Sequence, residues 1–430
     1  MQERNLLYVL LDGLGDRPVA ALDWKTPLEA AHRPHMNGLA RRGRSGVVYT
    51  VGRGIAPESD VAVISMLGYD PHKTYTGRGP IEAVGSGMSM ENGDLAVRCN
   101  FATFGRDFTI LDRRCGRSLT TEEAKVLAEA VNREVRLESH PAEFEFRSTV
   151  GHRGVLLIRS RQGKLSGNIS NTDPAYLKKG GLGIALEKFE NKVQQVVPLD
   201  ATEEARRAAD LMNEFTAKSY EVLDRNPLNR ERLSQGKPPA NGILGRDAGS
   251  SLPAFKPVRE LYGIGFAAMV EMPVERGIAL LSGMDSVKLP EPTGDISVDY
   301  AKRAELTNEL LGRYEGVYIH IKGPDEPAHD GNCRAKKESI ELIDEHFFGN
   351  LELDLDRDVV VVTADHSTPC VLRAHSDDPV PLIVSGGGVV PDGTGEFGES
   401  ACRKGSLGEI NGSELLRLVI SMTMIARKGI

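Results

Sequence analysis

The sequence predicts an α/β protein, a mostly parallel sheet flanked by helices with a smaller α/β domain inserted into it. Three observations carry that prediction. Apolar, β-branched runs of strand length recur at Leu6–Leu11, Val317–Ile321 and Val359–Val362, nearly continuous as in strands buried on both faces. Each stops at acids, histidines and glycines, the edge where open α/β sheets bind ligands. Between the first run and the others lies a stretch, 81–255, with strands and helices of its own. Residues 1–80 and 256–430 are therefore expected to form one discontinuous domain around an inserted one.

A length of 430 residues suits two or more cores, and the apolar fraction of 40% is that of ordinary globular domains. A net charge of -8 lacks the basic footprint of a nucleic-acid binder. The five cysteines are scattered, odd in number and without CxxC spacing, which reads as reduced thiols. No signal-like apolar segment follows Met1, and no apolar run reaches the roughly 18 residues of a membrane span. A cytoplasmic protein with neither a membrane nor a nucleic-acid partner is expected. Nothing in the sequence sets an oligomeric state.

In chain order, Leu6–Leu11 delivers Asp12-Gly13-Leu14-Gly15-Asp16, so Asp12 is either a ligand at a strand tip or a turn-former before glycine. Thr26-Pro27-Leu28-Glu29 opens a helix, and a second lies near Met36–Arg42. Ser59 precedes an apolar helix that Gly68 can terminate. It is either an N-cap or a nucleophile whose phosphorylated form the helix amides would hold.

In the inserted region, Thr120–Glu123 is a capping-box pattern, and Ala208, Leu211, Met212 and Phe215 share a helix face. The region also carries polar clusters that a core does not need: Arg98 and Asn100; Arg113, Arg114 and Arg117; His152 and Arg153; Asp173; Arg246. Guanidinium forks match phosphate and carboxylate, which points to an anionic substrate; a solvated basic face is the alternative. Gly236-Lys237-Pro238-Pro239 reads as a loop near the return to the first domain.

The sheet resumes with Val317–Ile321, which ends in Lys322, Asp325 and His329. Asp325 and His329, four apart, reach the same side of one helical turn. Lys336–Phe348 reads as an amphipathic helix with Ile340, Ile343 and Phe347 inward. The Val359–Val362 run leads to Asp365 and His366, with His375 in the loop beyond. Pro381–Ser385 reads as another strand and Gly412–Ala426 as a last helix. Acids and histidines at three strand ends of one sheet suit two metal ions with oxygen and nitrogen ligands, a clamp for in-line phosphoryl displacement.

The motifs Asp12-Gly13, Ser59-Asp60, Gly77-Arg78-Gly79-Pro80, Asp112-Arg113-Arg114, Pro239-Ala240-Asn241, Lys322-Gly323-x-Asp325, His329-Asp330-Gly331 and Asp365-His366-Ser367-Thr368-Pro369 occur in that order over almost the whole chain. Together they resemble the archaeal-type cofactor-independent phosphoglycerate mutases of the alkaline phosphatase superfamily. The resemblance implies an alkaline-phosphatase-like catalytic domain and an inserted substrate-binding domain. It implies Asp325, His329 and His375 as ligands of one divalent metal and Asp12, Asp365 and His366 as ligands of another, with Ser59 as a nucleophile touching the second.

Manganese, zinc or cobalt suits those donors best, and magnesium is compatible. The implied reaction interconverts 3-phosphoglycerate and 2-phosphoglycerate through phosphoserine, with Lys322 joining the substrate-binding residues named above. A phosphohydrolase, a mutase of another phosphate or phosphonate, and a silent binding protein are the competing readings. The chain departs from the family's usual pattern at Asn171 and Ala175, where Asp-Thr-Asp-Pro-His is usual, at Glu58, and at Gly245-Arg246-Asp247. These changes bear on substrate and acceptor, not on the metal or serine positions.

Overall fold

Leu6–Leu11, six consecutive buried residues, is a central strand of an eight-stranded sheet in the computed structural model, which describes residues 4–179, 182–186 and 188–423. Its neighbours, Gly316–Ile321 and Val359–Ala364, run parallel to it, with Leu11 beside both Ile321 and Ala364. Both are buried along their whole length, which is why all three runs could be apolar throughout. Because the register is even, the next residues along, Asp12, Lys322 and Asp365, leave the sheet side by side.

Across the sheet the order is Asp285–Ser286, Phe266–Met269, Gly316–Ile321, Leu6–Leu11, Val359–Ala364, Val380–Gly386, Gly43–Tyr49 and Gly408–Asn411. Only Val380–Gly386 runs against its neighbours; the remaining pairs are parallel.

Met1–Thr74 and Phe255–Ile430 make up one compact unit and Tyr75–Ala254 a second. In the second, Leu95–Phe104 pairs antiparallel with Ile110–Asp112, Arg153–Ser160 and Gly242–Gly249, and Ala142–Ser148 adds to Arg153–Ser160. Helices Thr121–Glu134 and Glu203–Asp224 cover this sheet with Leu127, Val131, Leu211, Met212 and Phe215, in one core with Phe101 and Phe146. The Thr120 capping box with Glu123 is formed. Helix Arg78–Gly85 belongs to this unit, since a Cβ on Gly79 would fall 2.3 Å from the Ala96 carbonyl oxygen.

Elsewhere, the helix expected from Lys336 begins at Cys333, because the Asn332 side chain accepts the Ala335 N–H. It continues as a π-turn over Ile343–Phe347 that keeps Ile343 and Phe347 buried. The final helix is Gly412–Thr423; the rest of the expected Gly412–Ala426 segment lies outside the described residues. Among those residues no helix is long and apolar enough to cross a membrane.

Candidate metal centre

The three parallel strand ends converge because the turn after Asp12 passes hard against the other two. Gly13 has φ +60°, and a Cβ there would lie 2.4 Å from Asp325 Oδ1; one on Gly15 would lie 2.0 Å from Ser367 Oγ. Only glycine fits such approaches. Asp365 Oδ1 accepts the N–H groups of Gly13 and His366, both at 3.0 Å. That fixes the carboxylate and turns Oδ2 toward His366 Nε2, 3.3 Å away. Asp12 Oδ1 lies 3.4 Å from the same nitrogen. Asp12, Asp365 and His366 thus form one set of donor atoms within 4.8 Å of each other, and Asp325, His366 and His375 form another. His329 adjoins the second, its Nε2 3.4 Å from Asp325 Oδ2, on the short helix Asp325–His329.

Each of the three histidines is oriented through its other nitrogen. His375 Nδ1 lies 2.8 Å from the Pro57 carbonyl oxygen and His329 Nδ1 3.0 Å from that of Arg373, so in both Nδ1 carries the proton. Thr368 Oγ donates to Asp325 Oδ1 at 2.6 Å and therefore accepts from His366 Nδ1 at 3.0 Å. All three rings turn Nε2 toward the carboxylates, the nitrogen left to bind a metal once Nδ1 is committed.

The carboxylates fit a cation as well. Asp12 Oδ1 and Asp365 Oδ2 are buried without a hydrogen bond among the described residues. A desolvated carboxylate oxygen is costly unless a charge answers it. These donors suit a divalent ion of the transition series.

The protein's own charges act on the site. Burial pushes Asp12 up, but the Lys322 ammonium, with His366 and His320, holds it well below the carboxylate range. Burial likewise opposes the effect of His329, yet Asp325 falls to about 2. His366 is lowered by burial and raised more by Asp365, Asp12 and Asp325, reaching about 9. His375 is lowered by burial and by His366, whose ring stacks on it at 3.8 Å.

Ser59 lies at the same site, its Oγ 3.1 Å from His366 Nε2. It does not cap the helix. Glu58, with extended φ and ψ, occupies the N-cap position, and Ser59 is the first helical residue of Ser59–Met66. Its hydroxyl is thereby free of the capping role and faces the donor cluster.

In the second unit, Arg98 and Arg246 are cross-strand partners, and Arg98 lies 3.6 Å from Glu82 and 3.9 Å from Asp247. The Arg246 guanidinium stacks 3.7 Å from the Tyr176 ring centre. Arg113 grips both oxygens of buried Asp173, at 3.1 and 2.6 Å. His152 drops to about 4 through burial and the surrounding Arg153, Arg114, Arg117 and Arg98. Asn100, buried beside Arg153 in the ladder, has an Oδ1 without a hydrogen bond among the described residues. Lys322 belongs to the first unit, with Nζ 3.0 Å from Asp12 Oδ2 and 2.6 Å from Glu275 Oε1.

Sequence reasoning missed Thr368, the Pro57 and Arg373 carbonyls, His320 and Glu275. Thr368 follows His366 by two residues, and His320 is the polar residue in an apolar strand, so both left a local signal. Glu275 left none.

A sequence profile of the family described as 2,3-bisphosphoglycerate-independent phosphoglycerate mutase matches residues 40–229. A protein of that name from Aeropyrum pernix is 44% identical over 418 residues, 95% of this chain and 96% of its own. Another from Methanosphaera stadtmanae is 39% identical over 427 residues, 99% of each chain. Among solved structures, the cofactor-independent phosphoglycerate mutase of Thermoplasma acidophilum is 32% identical with a TM-score of 0.66, over 98% of this chain and all of its own. The PH0037 protein of Pyrococcus horikoshii is 31% identical with a TM-score of 0.81 over the whole of both chains.

Proposed function

The chain belongs to the 2,3-bisphosphoglycerate-independent phosphoglycerate mutase family, and from that membership we infer that it interconverts 3-phosphoglycerate and 2-phosphoglycerate without a bisphosphate cofactor. The observation that carries the chemistry is the set of three imidazoles whose Nδ1 atoms are committed, leaving Nε2 atoms turned to shared carboxylates with the Ser59 hydroxyl beside them. Asp325, His329 and His375 would hold one divalent ion, and Asp12, Asp365 and His366 a second that Ser59 also touches. Manganese, zinc and cobalt suit these donors, and magnesium is compatible.

Bound metal would make the serine hydroxyl acidic and offset charge on the phosphoryl group. Ser59 Oγ attacks phosphorus, the bond between phosphorus and the C3 oxygen breaks, the proton given up by Ser59 ends on that oxygen, and phosphoserine and glycerate result. The first amides of helix Ser59–Met66 are placed to favour the phosphate once formed. Glycerate then presents its C2 hydroxyl, and the phosphoryl group leaves Ser59 for it. Lys322, beside Asp12, supplies a fixed positive charge to the anionic substrate.

Retention of glycerate separates a mutase from a phosphatase. Water would hydrolyse phosphoserine, but an oriented hydroxyl gains roughly 7–11 kcal/mol over a free one. The arginines of the second unit, Arg98, Arg113, Arg114, Arg117, Arg153 and Arg246, with His152, Asn100 and Asp173, are the groups assigned to hold glycerate and its carboxylate. The bidentate Arg113–Asp173 pair supports this, since it presents a guanidinium in one orientation. In this reading the inserted domain is the substrate domain and the sheet domain the catalytic one. A cytoplasmic location belongs to the same reading and is supported by five free cysteines. The test is conversion of 3-phosphoglycerate to 2-phosphoglycerate, lost on chelation and restored by Mn2+; release of inorganic phosphate alone would overturn it.

A further inference from the structure

Behind Asp12 and Asp365 lies a layer of buried polar groups of which the mechanism uses only Lys322. His320 interrupts the apolar strand Gly316–Ile321 and is buried completely, an expensive place for an imidazole unless partners offset it. Its Nδ1 is 3.1 Å from Glu275 Oε1, and its Nε2 is 3.3 Å from Asp365 Oδ2 and 4.0 Å from Asp12 Oδ1. Glu275, also buried, lies in the first turn of helix Pro273–Leu281. Its Oε1 is at the same time 2.6 Å from Lys322 Nζ, which is 3.0 Å from Asp12 Oδ2.

Glu275 is therefore the hub of two arms. One runs through His320 to Asp365, the other through Lys322 to Asp12. We propose that Glu275 and His320 are positioning residues that fix the metal-facing oxygens of Asp365 and Asp12, a role that rests on the metal-centre reading above.

The physical need is clear from the neighbours. Asp365 Oδ1 is held by two backbone N–H groups, so only Oδ2 can turn to a cation, and His320 and His366 flank it at 3.3 Å each. Two carboxylates close together repel, and each arm sets a nitrogen against one of them, His320 Nε2 against Asp365 and Lys322 Nζ against Asp12. Glu275 Oε1 in turn holds the His320 ring and the Lys322 side chain in place from the far side. Outer partners of this kind set metal affinity by about 10- to 100-fold.

The side chains allow the arms to be separated. His320→Asn places an amide where Nδ1 stands, keeping the Glu275 contact and losing the reach to Asp365. His320→Gln extends to the Nε2 position and keeps that reach. Glu275→Gln keeps the shape and removes the charge.

The experiment is calorimetric titration of the metal-stripped full-length protein with Mn2+, with thermal melting of each variant alongside. Glu275→Gln and His320→Asn are expected to weaken Mn2+ binding about 10- to 100-fold, with His320→Gln recovering most of the loss. Wild-type Mn2+ affinity in both Glu275→Gln and His320→Asn overturns the role. Equal loss in His320→Gln and His320→Asn overturns the arm through Nε2. A wild-type chain that takes up no Mn2+ overturns the metal-centre reading itself and this role with it.

Discussion

The Ser59 hydroxyl oxygen stands 3.1 Å from Nε2 of His366, the nitrogen whose ring partner Nδ1 is already engaged by Thr368. On the proposed covalent route no neighbouring group takes its place. Ser59→Ala is expected to lower kcat for phosphoglycerate interconversion at least about 10⁴-fold, a loss of roughly 5 kcal/mol of transition-state stabilisation. Mn2+ binding should remain, because the carboxylates and imidazoles stay. A 31P spectrum or intact mass of enzyme quenched during turnover should carry phosphoserine in the wild type and not in the variant. Retained turnover in Ser59→Ala would sink the covalent route.

Thr368 carries two contacts on one oxygen, receiving from His366 Nδ1 and donating to Asp325 Oδ1. Thr368→Val preserves volume and removes both. His366 then loses the acceptor that selects its tautomer. Metal affinity and kcat are expected to fall about 10- to 100-fold, while Thr368→Ser retains most of both. Calorimetry with Mn2+ and steady-state kinetics on the two variants decide it.

Glu399 is a buried acid away from the donor set. Burial raises it to about 7, against hydrogen bonds from Thr26 Oγ at 2.6 Å and the Asp16 N–H at 3.1 Å. The folded chain holds this proton more tightly than the unfolded one, so the contribution to stability is complete below the unfolded value near 4.3 and is lost as pH rises through about 7. Urea midpoints of the wild type should therefore drop between pH 5 and pH 8 relative to those of Glu399→Gln. Parallel pH profiles of the two proteins would refute the assignment.

Lys336 is wholly buried, and its ammonium donates to Asp16 Oδ2 at 2.9 Å and to the carbonyls of Gly15 and Thr368 at 3.0 Å each. It ties the turn after Asp12 to the loop after His366. Lys336→Met leaves Asp16 buried without its cation and is expected to cost about 3–5 kcal/mol in chemical unfolding. A loss below 1 kcal/mol would show that water reaches Asp16.

What could be read from the sequence follows from how local the causes are. The three central strands were legible because burial on both faces demands continuous apolar runs, and their polar tips because those runs end so sharply. Ser59 was legible only as an N-cap or a nucleophile. N-cap and first helical residue differ by one position, and the contact that separates them comes from His366, far along the chain. Glu275 was invisible for a stronger reason. An acid in the third position of a helix is common at any helix start, and its meaning here arises only from His320 and Lys322 on another element. In the inserted region the arginines were visible as residue types, but their grouping around His152 and Tyr176 depends on antiparallel pairing that no local pattern encodes.

The central position of Leu6–Leu11 has a consequence for biosynthesis. Its first partner, Leu6 with Gly316, is made 310 residues later, and its second begins at Val359. At roughly 5–20 residues per second, the strand waits about 15–60 s on the ribosome with both edges unpaired. The Tyr75–Ala254 unit is synthesised whole within that interval. A nascent chain halted before Gly316 should therefore contain a finished inserted unit and an exposed apolar N-terminal strand, the form most exposed to chaperones and to aggregation. On the proposed metal-centre reading, loading would wait for Asp365, His366 and His375, which emerge long after Asp12.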